Sequence, residues 1–453
     1  MPNKDIISGT ARETALRALV RFEKDRAYLN LILPSVVNSL PPEEKALTVK
    51  LASGTIQHLN TIDWALNLYS NTKTEKMTPW IRNLLRLGAF QLLYLDRIPA
   101  YAAINESVCL AGRYGHKGVA GLTNALLRKI SREADSLPWP DPESDQAAFF
   151  SLRHSIPLWL TKKMLIRFEP DQVENWCRAV NEKPALSIRP NLLRIKPDEL
   201  IGRLAGEGVK AVHSPVVPGM LRLPQGGFSP AATKTFREGL YTVQGESSAL
   251  VAPLLALSCS DTVVDLCSAP GGKTTHLAEL MRNEGTVFAV ELHRTRLDLV
   301  EKAARRLGLK NIIPLNTDGR LIGSCNLKPP QAVLVDAPCS GLGVIARLPE
   351  IKWRRSGEDL PEIQKQQLQL LTAAADILPS GGKLLYSVCT TEPEETTMVV
   401  DLFNNSRINF TAKPVVPLLP PALQLDQDNN ITATIWPHRH GLDGFFIALW
   451  QKR

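Results

Sequence analysis

Apolar residues in the first third of the chain recur at intervals of three and four, which is the spacing of one face of an α-helix. The first such stretch, residues 15–20, follows the sequence Thr-Ala-Arg-Glu at residues 10–13, which has the pattern of a helix-capping box. Two further stretches follow Pro41-Pro42 and Thr78-Pro79, and proline is common in the first turn of a helix. The pattern predicts an all-α bundle over residues 1–132.

The next two stretches indicate a linker and a smaller domain. Residues 133–145 contain three prolines and five acidic residues, a composition typical of a linker. Residues 146–228 combine a helical pattern with a strand-like run, so we expect a small α+β subdomain there. Arg189 and Asn191 stand in that run, and we expect them to face a substrate.

Short apolar runs alternate with helical stretches between residues 229 and 453. This alternation predicts right-handed crossovers and a parallel sheet. The five runs are Val263–Leu266, Val287–Val290, Ile312–Leu315, Ala332–Val335 and Lys383–Tyr386. Two later runs, Ile431–Trp436 and Phe445–Trp450, are expected to close the sheet as a hairpin. The chain is therefore predicted to be multidomain, with the bundle and the small subdomain followed by an α/β Rossmann-like domain.

The basic residues are unevenly distributed along the chain. Residues 1–132 contain 18 Lys and Arg against 10 Asp and Glu, whereas residues 133–453 contain 35 of each. The whole net charge of +8 therefore lies in the predicted bundle. Concentrated positive charge indicates a polyanionic partner, most plausibly nucleic acid, although a well-solvated surface is the simpler explanation.

Other features bear on location and metal content. No apolar run approaches 18 residues, so we expect no transmembrane helix. The first five residues lack the apolar stretch of a signal peptide. The seven cysteines are not closely paired, which favours reduced thiols and a cytoplasmic protein. The sequence has no CxxC or HxxxH pattern, so a bound metal is not expected.

Acidic residues stand at or just beyond the ends of four successive predicted strands: Asp265, Glu291, Asp318 and Asp336. The carboxyl ends of parallel strands meet at one edge of a sheet, where ligands bind. A glycine-rich loop after the first strand can bring backbone N–H groups to an anionic group. An acid after the second strand can accept both hydroxyls of a ribose, so the sequence predicts a ligand that contains a nucleoside.

The sequence of the glycine-rich loop distinguishes three kinds of nucleoside ligand. NAD is disfavoured because the GxGxxG fingerprint is absent from residues 265–275. A phosphate-binding P-loop is disfavoured because Gly272-Lys273-Thr274 lacks the earlier glycine of that motif. A nucleoside with a carboxylate fits better, and S-adenosylmethionine is the simplest candidate.

Two cysteines follow predicted strands of the same sheet. Cys339 lies in Asp-Ala-Pro-Cys-Ser-Gly at residues 336–341, and Cys389 lies in Tyr-Ser-Val-Cys-Thr at residues 386–390. A thiolate is the most nucleophilic group that a side chain offers, so this placement suits covalent catalysis on an electrophilic carbon. The alternative is that both are small apolar residues of the core.

Two stretches in the first third resemble the NusB antitermination family. They are IPAYAAINESV at residues 98–108 and GLTNALLRKI at residues 121–130. The resemblance covers about 120 residues and implies a helical RNA-binding domain. It supports the nucleic-acid interpretation of the positive charge.

The last part of the chain resembles the Nop2/Sun/Fmu family of RNA cytosine-C5 methyltransferases. The motifs that carry the resemblance are DLCSAPGGKT, VEL, TDGR, VDAPCSGLGV and YSVCTTEPEE, in this order. Together with the helical domain, they imply an S-adenosylmethionine-dependent enzyme that acts on small-subunit ribosomal RNA. A monomer without a membrane partner is expected.

The resemblance also implies a role for each motif residue. The methionine part of the cofactor would be wrapped by Cys267, Ser268, Ala269, Pro270, Gly271, Gly272 and Lys273. Glu291 would hold the ribose, Asp318 would face the adenine, and Asp336 would lie between the cofactor and the target base. Cys389 would be the nucleophile and Cys339 would help to release the product.

Three other functions are considered. A non-catalytic RNA-binding or assembly factor would be expected to have lost at least one of Cys339, Cys389, Asp336 and Lys273. A DNA cytosine methyltransferase would use the Pro-Cys thiol as nucleophile together with a Glu-Asn-Val motif, which the sequence lacks. A transfer-RNA methyltransferase is separated from a ribosomal-RNA enzyme only through the front domain.

Overall fold

The computed structural model describes residues 10–224, 229–425 and 430–453. The residues on which the expectation about a signal peptide rests lie outside this range, as does the predicted boundary at residue 228. The chain forms two compact units. The first comprises Met1–Asn181 and Leu348–Arg354, and the second comprises Glu182–Arg347 and Arg355–Arg453.

The described part of the first unit is α-helical. Its helices are Ala11–Asp25, Leu29–Val37, Pro42–Gln57, Leu59–Tyr69, Pro79–Tyr94, Ala100–Tyr114, Lys117–Glu133, Gln146–Arg153, Leu158–Arg167, Pro170–Ala179 and Ile351–Arg354. Three of them begin where the sequence predicts. Thr10 is an N-cap whose hydroxyl accepts the Glu13 N–H, and Pro42 and Pro79 occupy first turns.

The predicted linker packs against the helices that precede it. The ring of Trp139 lies 4.7 Å from that of Trp64, and Leu137 is buried. Further along, Asn60 donates a hydrogen bond to the Ser151 carbonyl (3.1 Å). The first unit therefore continues to Asn181. The linker prediction rests on prolines and acids, and the contact of Trp139 with Trp64 and the burial of Leu137 stabilise this stretch.

Residues 348–354 belong to the first unit although they lie far along the chain. The indole Nε1–H of Trp353 donates to the Ile56 carbonyl (2.6 Å), and Glu350 accepts the Leu29 N–H (3.0 Å). Lys352 is fully buried, and its Nζ donates a hydrogen bond to Asn181 Oδ1 (3.2 Å). This short segment is thus fixed by hydrogen bonds within the helical unit.

The second unit begins with a small antiparallel sheet. Its strands are β1 (Leu186–Pro190), β2 (Val212–His213), β3 (Leu221–Leu223) and β4 (Tyr241–Val243), in the order β2-β3-β1-β4. The helix Pro197–Gly206 packs on this sheet through Leu200 and Leu204, which are fully buried. This confirms that the chain contains a small α+β subdomain, whereas its bounds at residues 146–228 stay a prediction.

A larger mixed sheet follows. Its strands are β5 (Thr262–Asp265), β6 (Thr286–Glu291), β7 (Ile312–Asn316), β8 (Ala332–Asp336), β9 (Lys383–Val388), β10 (Phe410–Lys413), β11 (Thr432–Ile435) and β12 (Phe445–Lys452). The strands β7, β6, β5, β8 and β9 are parallel and adjacent in that order. Strand β12 runs antiparallel to β9, β10 and β11. The predicted parallel sheet and closing hairpin are both confirmed.

Helices cover the large sheet and bury its strands. The remaining helices of the second unit are Lys234–Arg237, Glu246–Ala249, Gly272–Leu280, Arg294–Leu307, Leu360–Ile377, Thr397–Ser406 and Pro437–His440. Strands β5 and β8 are made largely of apolar residues with almost no exposure, as expected for strands covered on both faces. Among the described residues, no helix is long and apolar enough to cross a membrane.

Candidate active site

The order of the parallel strands places a ligand-binding edge at β5. The chain runs from β5 outward to β6 and β7, and then returns to β8 on the other side of β5. Ligands bind beyond the carboxyl ends of strands at such a reversal. The segments after β5, β6, β7, β8 and β9 carry the predicted site residues, so the topology brings all of them to one edge of the sheet.

The loop after β5 is held in place by short internal hydrogen bonds. The Thr274 hydroxyl donates to Asp265 (2.7 Å), and both the N–H and the hydroxyl of Ser268 donate to the Val290 carbonyl. Burial raises the pKa of Asp265 to about 7. Gly271 has φ +105°, and the helix begins at Gly272. The loop thus ends at a helix N-terminus, where backbone N–H groups are available to an anionic group.

Three other residues of this loop are Cys267, Ser268 and Ala269. Ala269 and Ser268 are buried, and burial also raises the pKa of the Cys267 thiol well above its usual range. Cys267 therefore stays protonated and does not act as a nucleophile. The loop forms a rigid, mainly neutral turn beside the strand ends, which suits the methionine part of a cofactor.

Glu291 and Asp318 each have a local partner in the structure. Glu291 is buried at the end of β6, accepts the His293 N–H (3.0 Å) and lies 3.4 Å from Arg296. Asp318 accepts the Arg320 N–H (2.9 Å) and forms an ion pair with its guanidinium (2.6 Å), which lowers the pKa of Asp318. Glu291 does not use all of its lone pairs on these contacts, so it can still accept from a nucleoside. Asp318 accepts four contacts from Arg320, so a ligand there would have to replace one of them.

Asp336 connects the loop after β5 to the strand that precedes Cys389. One carboxylate oxygen lies 2.7 Å from the Lys273 ammonium, and the other accepts the Ser387 hydroxyl (2.7 Å). The Lys273 ammonium also lies 5.1 Å from the centre of the Phe445 ring. Lys273 is buried, so this ion pair is screened less by solvent than a surface pair. It fixes the carboxylate between the side chains of Lys273 and Ser387.

The two cysteines meet at the edge of the sheet. The Sγ atoms of Cys339 and Cys389 are 3.2 Å apart, which is within hydrogen-bond distance for sulfur. The hydrogen bond with Cys389, together with burial, raises the pKa of Cys339 well above its usual range. Cys339 is therefore protonated at neutral pH. The prediction that both thiols and Asp336 lie together agrees with this geometry.

A cavity of about 1090 Å³ opens beside this group. It is lined by Cys389, Lys273 and Phe445, and by the edge of the small sheet at Ser187 and Gln244. Among the described residues, Cys389 lines this cavity whereas Cys339 does not. A cavity of this volume has room for a base together with adjacent parts of a polynucleotide.

The prediction that Arg189 and Asn191 face a substrate is wrong. Arg189 is buried, forms an ion pair with Glu279 (2.8 Å) and donates to the Gly272 carbonyl (2.8 Å). Asn191 is fully buried and donates to the carbonyls of Gly239 and Leu307 (3.1 Å each). Buried polar groups require partners, and here these partners belong to the protein. Arg189 attaches the small sheet to the helix Gly272–Leu280, and Asn191 attaches it to the end of the helix Arg294–Leu307.

The sequence reasoning missed the contacts that close the site near Cys389. Arg347 forms a two-oxygen ion pair with Asp443 (3.0 and 2.7 Å), and both residues line the cavity. A Cβ at Gly343 would lie 2.0 Å from the Gly444 carbonyl oxygen, so the two loops approach through glycine. The signal available in the sequence was the presence of two glycine-containing segments. These are Gly341-Leu342-Gly343 and, near the end of the chain, Asp443-Gly444. Among the described residues, no cluster of three or more His, Cys, Asp or Glu side chains has the geometry of a metal site.

Three parts of the chain each match a known protein family. Residues 252–451 match the family described as "16S rRNA methyltransferase RsmB/F", and residues 9–132 match the NusB family. Residues 156–227 match a "Methyltr_RsmF/B-like, ferredoxin-like domain". A Bacillus subtilis (strain 168) protein named "Probable ribosomal RNA small subunit methyltransferase B" is 36% identical over 451 residues, 98% of this chain and 99% of its own. The chain belongs to the ribosomal RNA small subunit methyltransferase B family.

Other relatives agree with this family. The "Ribosomal RNA small subunit methyltransferase B" of Escherichia coli O1:K1 / APEC is 33% identical and covers 86% of this chain and 89% of its own. The crystal structure of PH0851 has a TM-score of 0.82 at 28% identity and covers 98% of this chain and all of its own. A structure of NSun6 from Pyrococcus horikoshii with SFG (TM-score 0.58, 24% identity, 65% and 98% coverage) shows the same fold. The predicted NusB-like domain and Rossmann-like fold of this methyltransferase family are confirmed.

Proposed function

We propose that this protein transfers a methyl group from S-adenosylmethionine to C5 of a cytosine in small-subunit ribosomal RNA, through a covalent bond between Cys389 and C6. The observation that carries the proposal is the Cys339–Cys389 pair at 3.2 Å beside the Lys273–Asp336 ion pair. Membership in the methyltransferase B family supports the ribosomal RNA substrate.

The cofactor supplies an electrophilic methyl group on a sulfonium. The proposed binding residues fit such a group, since the loop Cys267–Lys273 ends at a helix N-terminus that can accept its carboxylate. Glu291 retains lone pairs for the ribose hydroxyls, and Asp318 would accept the adenine amino group in exchange for one of its contacts with Arg320. Asp336 is proposed to lie between the cofactor and the target base.

The proposed chemistry begins at the thiol that the cavity exposes. Cytosine C5 is a poor nucleophile until a thiolate adds to C6 and turns the ring into an enamine. The Cys389 thiol loses its proton to solvent, and as its sulfur adds to C6 negative charge develops toward N3, where the Lys273 ammonium held by Asp336 can donate a hydrogen bond. A base stacked in a helix must first be unstacked, so the proposed substrate is a loop or single-stranded segment.

Release of the methylated RNA requires loss of the C5 proton and cleavage of the bond between C6 and the Cys389 sulfur. After methyl transfer the C5 proton passes to solvent, its bonding electrons form the C5–C6 double bond, and the C6–S bond breaks with its electrons on the Cys389 sulfur. We propose that the Cys339 thiol stabilises this departing thiolate by a hydrogen bond, because the two sulfurs already lie within that distance. The raised pKa of Cys339 supports its role as donor rather than nucleophile.

The domains have separate proposed tasks. Residues 1–132 would bind RNA, and residues 229–453 would carry out the methyl transfer. Residues 133–145 would connect the helical domain to the rest of the chain, and residues 146–228 would support the catalytic domain. The net charge of +8 in residues 1–132 supports the first assignment. The proposal includes a monomeric enzyme that acts in the cytoplasm.

The test compares two RNA substrates by bisulfite sequencing. Unmodified small-subunit ribosomal RNA and unmodified transfer RNA are each incubated with the protein and S-adenosylmethionine. We expect protected cytosine in the ribosomal RNA only. Protection in transfer RNA alone would favour the transfer-RNA alternative, and protection in neither, with binding of ribosomal RNA retained, would favour a non-catalytic assembly factor.

A further inference from the structure

Two buried side chains hold the peptide groups on both sides of Cys339. The amide of Gln367, on the helix Leu360–Ile377, donates to the Pro338 carbonyl (3.0 Å). The carboxyl group of Glu395 accepts the Ser340 N–H (2.7 Å). Gln367 also donates to that same Glu395 oxygen (3.1 Å), so the two side chains form one unit. Both are fully buried.

The same network extends to the loop that carries Cys389. The Ser340 hydroxyl donates to the Thr390 hydroxyl (3.1 Å), which joins the residues that follow the two cysteines. The Tyr386 hydroxyl donates to the Glu395 backbone carbonyl (2.8 Å). The position of the Cys339 sulfur relative to the Cys389 sulfur is therefore set by hydrogen bonds, rather than by apolar packing alone.

This arrangement has a cost in stability. Burial raises the pKa of Glu395, because a charged carboxylate is poorly solvated there. Among the described residues, one oxygen of Glu395 and the side-chain oxygen of Gln367 have no hydrogen-bond partner. Apolar residues of similar volume avoid such costs, so buried polar groups of this kind require an explanation beyond stability.

We infer that Glu395 and Gln367 are positioning residues that hold the Cys339 thiol where it can stabilise the departing Cys389 sulfur. The inference rests on the proposed function and adds residues that do not touch substrate or cofactor. Small misplacements of a reacting group reduce rates by about a hundredfold per ångström. Loss of this pair of side chains should therefore slow release of the product while addition and methyl transfer continue.

The experiment measures the covalent protein–RNA adduct in the full-length protein. Glu395→Ala is incubated with RNA and labelled cofactor, and the adduct and the methylated RNA are separated on a denaturing gel. We expect single-turnover methyl transfer within about threefold of the parent, with release of RNA slowed about 10- to 100-fold. Glu395→Gln keeps an oxygen for the Ser340 N–H, and we expect it to restore release to near the parental rate.

Two further variants keep the test decisive. Gln367→Leu removes the hydrogen bond to Pro338 with little change in volume, and it should also accumulate adduct even where Glu395→Ala fails to fold. Glu246→Ala is the matched control, because Glu246 is another buried carboxylate that accepts from Arg222 and Ser187. It should lower the melting temperature without trapping adduct.

Parental release in both Glu395→Ala and Gln367→Leu would overturn the inference, as would an equal loss of methyl transfer and release. Cys339→Ala is run in parallel to separate this failure from that of the proposed function. Adduct in Cys339→Ala but not in the Glu395 and Gln367 variants contradicts only the positioning role. Absence of adduct in every variant, Cys339→Ala included, contradicts the covalent mechanism itself.

Discussion

The Lys273 ammonium lies 2.7 Å from the Asp336 carboxylate, and this ion pair joins the loop after β5 to the end of β8. The side chain of Lys273 is thereby directed at the acid that precedes Cys339, while its main chain remains in the first turn of the helix Gly272–Leu280. In the proposed mechanism, the ammonium of Lys273 would serve the target base and its main chain would serve the cofactor.

Replacement of Lys273 tests this division. Lys273→Met removes the charge that orients Asp336, and we expect kcat to fall about 100-fold because stabilisation of charge on the base is lost. Calorimetry should show that affinity for S-adenosylhomocysteine changes less than about threefold. Lys302→Met, at an exposed lysine, is the matched control. A large loss of cofactor affinity would instead make the ammonium a cofactor ligand.

Glu291 has both a structural contact and a proposed ligand. Glu291→Ala should raise the dissociation constant of S-adenosylhomocysteine about tenfold or more, because charge-assisted hydrogen bonds of roughly 1.5–3 kcal/mol are removed. Titration calorimetry measures this directly, with Glu301→Ala as a control on the following helix. Unchanged affinity would mean that Glu291 serves only the His293 N–H.

The sequence predicted the large sheet well because its strands are buried on both faces. Runs such as Ala332–Val335 are continuous apolar segments that end in an acid, and the strand ends of a parallel sheet share one edge. The topology therefore brings Asp336, Cys339 and Cys389 together with no knowledge of side-chain contacts. The contact distances, which decide the chemistry, had to come from the structure.

The failures share one physical cause, which is that partners distant in the chain decide whether a polar residue is buried. Arg189 resembles a substrate contact in the sequence because its partner Glu279 lies far along the chain. Gln367 gives no signal, since an amide on an amphipathic helix is ordinarily solvated. The contact of Trp139 with Trp64 could not be foreseen for the same reason, and the linker at residues 133–145 stays a prediction.

The exposed charges of the helix Lys117–Glu133 test the proposed RNA-binding role. Lys117, Arg128 and Arg132 are exposed on this helix. Replacing all three by alanine should weaken RNA binding and reduce the slope of log affinity against log salt by about 0.7 for each phosphate that is no longer neutralised. Fluorescence anisotropy over a range of salt concentrations measures the slope.

A control with equal charge change is available in the second unit. Lys302, Arg305 and Lys310 are also exposed, and they lie in the part of the chain that has no net charge. Their replacement by alanine should leave the slope nearly unchanged. Equal slopes in the parent and in the variant of the helix Lys117–Glu133 would exclude that helix from the RNA-binding surface.

Lys352 gives the helical unit a pH-dependent stability. Burial lowers the pKa of Lys352 to about 7, whereas a lysine in the unfolded chain has a pKa of about 10.4. Between these values the unfolded chain binds one more proton, so the free energy of unfolding rises with pH by up to about 1.4 kcal/mol per unit. Relative to Lys352→Met, the parent should gain stability from about pH 7 to about pH 9. If the free energies of unfolding of the parent and of Lys352→Met changed in parallel over this range, the lowered pKa of Lys352 would be contradicted.

The division of labour between the two thiols is tested most directly by trapping the covalent adduct. Cys389→Ala and Cys339→Ala are incubated with labelled RNA and S-adenosylmethionine and resolved on a denaturing gel. Cys389→Ala should methylate no RNA and form no adduct, because the thiol that lines the cavity is gone. Cys339→Ala should methylate once and remain attached to its RNA through Cys389. An adduct in the Cys389 variant with none in the Cys339 variant would contradict the account and assign the attack to Cys339.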